Sequence, residues 1–124
     1  MPDTRPQSAR ARGACIEHAA SLWLSQRGLR LVASNQATKG GELDLIMHHG
    51  DILVFVEVRH RSSNRFGTPA ETVTLTKQRR LIKAARFYLQ RNRLSCPCRF
   101  DVLAVTGSPP DLDFYWIPNA FEAN

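Results

Sequence analysis

The chain has no apolar run approaching the ~20 residues that a membrane helix needs. Its longest such run, around Ile52–Val58, is already interrupted by Glu57. Behind the basic residues Arg5, Arg10 and Arg12 there is no apolar segment, so Met1–Gly13 does not read as a secretory signal. Cysteine is scarce and odd in number: Cys15, Cys96 and Cys98. Without an export signal these predict free thiols and a cytoplasmic protein. Cys96-Pro97-Cys98 sets two thiols where a soft metal would suit them, but zinc needs two more ligands, and His48, His49 and His60 stand at no finger spacing. The expectation is a pair of ordinary thiols ahead of a strand. Also missing are a glycine-rich phosphate loop, a dinucleotide fingerprint, a Ser/His/Asp set, internal repeats and low-complexity tracts. Those absences weaken most other enzyme classes.

Acidic residues are nearly absent from one long stretch. Residues 59–99 hold eleven Lys and Arg against Glu71 alone. Residues 41–58 show the reverse, with Glu42, Asp44, Asp51 and Glu57 and no Lys or Arg. The whole chain carries +6. A basic protein points to a polyanionic partner, most economically nucleic acid. Carboxylates repel phosphate, so a plain nucleic-acid binder has little use for an acidic block at its centre. A metal site that cuts phosphodiesters needs one. With 124 residues, the chain is one domain that buries roughly two-thirds of its unfolded surface.

The pattern along the chain predicts a small α/β domain. Residues 1–12 read as a disordered basic arm, and 13–124 as the domain. From Ala14 to Arg27 the residues Ile16, Ala19, Ala20, Trp23 and Leu24 fall on one helical face, and Gly28 stops the helix. Leu29–Ser34 alternates as a strand, Lys39-Gly40-Gly41 breaks it, and Glu42–Met47 and Ile52–Arg59 form a hairpin across Gly50-Asp51. Thr74 or Thr76 caps a helix reaching Arg91, with Leu81, Ala84 or Ala85, Tyr88 and Leu89 as its apolar stripe. Arg99–Thr106 and Leu112–Ile117 are the last strands. The order is αβββαββ around a mixed sheet.

Within the hairpin, alternation puts Glu42, Asp44 and Ile46 on one face and Leu43, Leu45 and Met47 on the other. On the next strand Leu53, Phe55, Glu57 and Arg59 share a face. If His49 pairs with Ile52, Asp44 stands opposite Glu57 and Glu42 opposite Arg59. A longer loop leaves Asp44 and Glu57 diagonal, still within ~5–8 Å. A charge in a strand as apolar as Ile52–Val58 must be paired, solvated or bound to a metal. Oxygen-only donors suit Mg²⁺ or Mn²⁺, which polarise a phosphoryl oxygen and activate water. The alternative is a set of ion pairs at the rim of a sheet.

These residues also resemble a known family. Gly41-Glu42-Leu43-Asp44-Leu45-Ile46, Val54-Phe55-Val56-Glu57-Val58-Arg59 with Arg61, Phe66-Gly67, Lys77 and Arg99-Phe100-Asp101-Val102 resemble the bacterial YraN-like family. That family is similar to archaeal Holliday junction resolvases and is assigned to the restriction-endonuclease-like PD-(D/E)xK superfamily. The resemblance implies a mixed sheet flanked by helices and metal-dependent cleavage of DNA, including branched or junction DNA. It implies that Asp44 and Glu57 hold the metal and that Glu17, on the first helix, completes the site. Arg59 falls where the superfamily has its catalytic lysine. Arginine supplies charge and forked donors but stays protonated, so it cannot act as a base. Lys77, at a helix start, is the other candidate for that role. The second reading is a nucleic-acid-binding module of nuclease fold with weak or no turnover.

The remaining charged residues divide by use. Arg61, Arg65, Lys77, Arg79, Arg80 and Lys83 are the expected phosphate contacts, each releasing counterions on binding. Glu42 is expected beside the site, paired with Arg59. His48 and His49 read as exposed turn residues, and His60 as structural. Asp101, next to Arg99 in an apolar strand, reads as a buried ion pair, and Trp116 as core or lid. A symmetric junction would suit a homodimer.

Overall fold

In a computed structural model, residues 9–61 and 73–123 are described. Helix α1 spans Ala9–Ser25, and strands β1 (Arg30–Thr38), β2 (Gly41–His49) and β3 (Ile52–Arg61) follow it. Helix α2 spans Leu75–Arg91, and β4 (Cys98–Ser108) and β5 (Asp111–Phe121) complete the chain. The order αβββαββ and the mixed α/β class are those expected. The five strands lie in sequence order, β1 to β5. Neighbours run antiparallel except β3 and β4, which are parallel because α2 carries the chain back between them.

One helix covers each face of the sheet. Ile16, Ala20 and Leu24 of α1 pack on Leu45, Met47, Val54, Val56, Leu103 and Val105. Leu81, Ala84, Ala85 and Tyr88 of α2 pack on Leu43, Ile46, Leu53, Phe55 and Phe100. Because β3 is covered on both sides, it is apolar at nearly every position, as buried strands are. Helix α1 starts at Ala9, so residues 9–12, expected in the arm, belong to the helix. It ends before Gly28, which takes φ +94°. Helix α2 is capped by Thr74, whose hydroxyl accepts from the Lys77 backbone N–H at 3.2 Å. Gly40 is the tightest joint between the layers. A Cβ there would lie 2.7 Å from the Ala84 backbone nitrogen and 2.8 Å from the Lys83 carbonyl carbon, so only glycine lets the β1–β2 turn seat on α2.

Two strands run further than their patterns predicted. Strand β5 continues through Pro118 to Phe121, which stacks on Phe100 at 5.0 Å. An edge strand tolerates proline because its outer N–H needs no partner. Strand β1 continues past Ser34 to Thr38, across Asn35 at φ +52°. Asn35 falls opposite Asp44, between the pairs Ser34↔Leu45 and Gln36↔Leu43. At that point the pleat of β2 breaks: Leu45 faces α1, whereas Leu43 faces α2. The expected single face for Leu43, Leu45 and Met47 therefore does not form. The interruption falls at the first carboxylate.

The other end of the sheet is held by Asp101, which is 0% exposed. Arg99 grips it through Nε at 2.8 Å and Nη2 at 2.9 Å, and Trp116 Nε1 and the Asn119 N–H also donate to it. The expected Arg99–Asp101 ion pair is present, and Trp116 serves it as a donor. His49 is not an exposed turn residue. It ends β2 half-buried, with Nδ1 3.1 Å from Arg99 Nη2. His48 is half-buried beside it.

Candidate functional site

The hairpin of β2 and β3 has the register His49↔Ile52 across Gly50-Asp51, with Gly50 at φ +62°. That register points Asp44 at Glu57. Ladder pairing stops one step short, at Leu45↔Val56. Beyond it the Asp44 carboxylate takes over, with Oδ2 accepting the Val58 N–H at 2.9 Å. A side chain thus substitutes for the backbone carbonyl that the broken pleat has turned away. Glu57 is the neighbouring carboxyl group, and each of the two acts on the other's titration.

Two buried carboxyl groups side by side disfavour the doubly charged state. Burial is the main cause that pushes both upward. Asp44 titrates above the usual carboxylate range, its bond from Val58 opposing the rise. Glu57 is only 6% exposed and is pushed up to about 7 by burial and then by the charge of Asp44. Two cations oppose that shift from one direction. Lys77 Nζ lies 3.5 Å and Arg59 Nη1 3.8 Å from the same Glu57 Oε1. Neither contact is as short as the ~2.7–2.9 Å of a strong charge-assisted bond, which is why burial prevails.

Asp44 and Glu57 face a cavity of about 330 Å³. Val58 and His60 of β3 and Arg12, Gly13, Ile16 and Glu17 of α1 form the rest of its wall. Glu17 therefore reaches the same space as the two strand carboxylates, as expected. Its titration is also raised, first by burial and further by the charges of Asp44 and Glu42. Its Oε2 is buried and has no hydrogen-bond partner, and neither has Nε of Arg59. His60 Nε2 donates to Gly107 O, 2.7 Å away, and so ties the cavity wall to β4. Glu42 is exposed at the start of β2. Since pairing ends at Leu45↔Val56, the expected Glu42–Arg59 pairing is not formed, and Glu42 acts instead as a like charge on Asp44 and Glu17.

The oxygen donors here are those a hard divalent cation uses. Among the described residues no three His, Cys, Asp or Glu side chains already converge tightly enough to hold a metal. The close pair is Asp44 and Glu57, with Glu17 across the cavity. That arrangement fits Mg²⁺ or Mn²⁺, which take one or two carboxylates and complete their shell with water and phosphate oxygens. The unpartnered Oε2 of Glu17 and the crowding of two buried carboxyl groups at Asp44 and Glu57 are both features that a bound cation would relieve.

Around the cavity the expected phosphate contacts divide. Arg61 ends β3 exposed, and Arg79, Arg80 and Lys83 are exposed along α2. Among the described residues, Lys77 is the one residue of that helix in an ion pair with a carboxylate. Arg65 lies outside the described residues. Cys98 donates to the Cys96 carbonyl at 3.3 Å, and burial pushes its thiol up to about 11, so it is held as a thiol. The sequence reading missed Asn35 and Arg12. Arg12 was assigned to the arm. Asn35 fell just past the predicted strand Leu29–Ser34 and was given no role, although asparagine is among the few residues that tolerate left-handed backbone.

The profile of the family described as Uncharacterised protein family UPF0102 matches residues 16–105. The chain belongs to the UPF0102 family. It is 62% identical over 115 residues to a UPF0102 protein of Chromohalobacter salexigens, covering 93% of this chain and 94% of that one. It is 48% identical over 126 residues to a UPF0102 protein of Xanthomonas axonopodis pv. citri, covering 100% and 98%. A UPF0102 protein of Hahella chejuensis is 48% identical over 110 residues, covering 88% of each chain. UPF0102 is the YraN-like family that the sequence motifs resemble. Glu17, Asn35, Asp44, Glu57, Arg59 and Lys77 all lie inside the matched stretch of this UPF0102 chain. No helix among the described residues is long and apolar enough to cross a membrane.

Proposed function

We propose that this chain is a divalent-cation-dependent endonuclease acting on DNA, with branched or junction DNA as its preferred form. The observation that carries the reading is the Asp44–Glu57 carboxyl pair at a cavity, with Lys77 and Arg59 both at Glu57 Oε1. A structural ion pair needs one acid and one base. Two acids brought together where the β2–β3 pairing stops, with a third at the cavity wall, suit a cation and the phosphate it accompanies. The resemblance to resolvases supports the same chemistry and supplies the preference for junctions.

In this reading Asp44, Glu57 and Glu17 would hold Mg²⁺ or Mn²⁺. The cation supplies Lewis acidity at the phosphate. Lys77 and Arg59 then do what fixed positive charges do: they draw a phosphate oxygen to the carboxylates and stabilise charge as it develops there. Lys77 takes the part of the superfamily lysine from a helix, since position 59 holds arginine. Arg61, Arg65, Arg79, Arg80 and Lys83 hold the flanking phosphates. The presence of arginine at 59 favours one other reading, a module that binds DNA and cuts it poorly.

Labelled four-way junctions, flaps and linear duplex, incubated with Mg²⁺, Mn²⁺ or EDTA, test both. The expected result is metal-dependent product that disappears in the Asp44→Asn/Glu57→Gln double variant. Salt-sensitive binding by both proteins with no product would establish the binding module. Product that persists in the double variant would place the active site elsewhere.

A further inference from the structure

We infer that Asn35 is a positioning residue of the cation site: its left-handed backbone turns Asp44 toward Glu57, and its side chain holds Glu17 over the cavity. The inference rests on the reading of Asp44, Glu57 and Glu17 as cation donors.

Three observations meet at this residue. Asn35 takes φ +52° inside a strand, a conformation that costs most residues free energy and is kept only where the surroundings demand it. It stands opposite Asp44 in the β1–β2 ladder, where the row of side chains facing α1 gives way to one facing α2. An unbroken pleat would send Asp44 to one face of the sheet. The break leaves it just past the end of the β2–β3 pairing, accepting from Val58 N and next to Glu57. Lastly, the Asn35 side chain is the hydrogen-bonding neighbour that lowers the titration of the Glu17 carboxyl, whose Oε2 is buried without a partner among the described residues. An amide N–H given to one carboxylate oxygen fixes the group and leaves the second oxygen directed at the cavity. Groups that orient a ligand in this way typically change metal affinity 10–100-fold when removed. Asparagine suits both duties, since it tolerates left-handed backbone and carries a donor.

The test is a double-mutant cycle read by Mn²⁺ affinity, with free Mn²⁺ followed by electron paramagnetic resonance, alongside melting temperature. Asn35→Gly keeps the backbone conformation and removes the donor. It should weaken Mn²⁺ binding ~10-fold while leaving the melting temperature within a few degrees of wild type. Glu17→Gln should weaken binding similarly, and adding Asn35→Gly to it should cost nothing more. Asn35→Asp, which also accepts the left-handed conformation, should likewise lose its effect on affinity in the Glu17→Gln background. Additive losses, or an unchanged affinity in Asn35→Gly, would overturn the positioning role and leave the cation site standing. Wild type that binds no Mn²⁺, or an Asp44→Asn/Glu57→Gln variant that binds it as well as wild type does, would overturn the cation site and this inference with it.

Discussion

Glu57 has two cations within 4 Å and is still pushed up to about 7. The consequence for stability has a definite sign. Its unfolded value is the ordinary 4.5, so between there and about 7 the folded chain binds more protons than the unfolded one. Stability is therefore highest below about pH 4.5 as far as this group is concerned, falls as pH rises through 7, and is level above it. Urea denaturation from pH 5 to 8 should show that descent, and Glu57→Gln should flatten it; a parallel descent in the variant would mean that another group is responsible. Lys77 and Arg59 divide differently. Lys77→Ala should lower the cleavage rate ~10²-fold, as loss of a positioned donor does. Arg59→Lys should keep activity within a few-fold of wild type in the same assay. The pair Asp44 and Glu57 was legible in the sequence because charged residues in apolar strands are costly and period-two alternation is simple. Asn35 was not legible, because a left-handed residue leaves no trace in a hydrophobic pattern.

The helices and strands were readable where burial imposes a period. Helix α2 shows this well: Thr74 caps it, and Leu81, Ala84, Ala85 and Tyr88 form the buried stripe that the spacing predicted. Strands β1 and β5 were read too short because they are sheet edges, with polar or proline positions where alternation lapses. The β1–β2 turn offers the sharpest test of this layer. A Cβ on Gly40 would meet α2 backbone atoms, which cannot swing aside as a long side chain can. Gly40→Ala should therefore cost ~1–3 kcal/mol, seen as a lower urea midpoint at unchanged slope. Because the same turn leads into Asp44, the substitution should also weaken Mn²⁺ binding.

Over the whole molecule, charge is separated by element. The carboxylates Asp44 and Glu57 gather where the β2–β3 pairing stops, and exposed Arg79, Arg80 and Lys83 run along α2 from the point where Lys77 touches Glu57. The blocks of charge were plain in the sequence, since charge is a matter of composition. Which of these residues meets the carboxylates was not, because that depends on how α2 crosses the sheet. Replacing Arg79, Arg80 and Lys83 with alanine should weaken DNA binding without changing Mn²⁺ affinity, and should lower the salt dependence by up to ~0.9 in log–log slope per phosphate contact removed. The central claim is that the buried acid pair exists to hold a divalent cation. Thermal unfolding at pH 8 with increasing Mn²⁺ tests it without any substrate. The account predicts that wild type is progressively stabilised, by about 2.7 kcal/mol at a hundred times the dissociation constant, and that the Asp44→Asn/Glu57→Gln variant is not. An equal response from both proteins, or none from wild type, would contradict it.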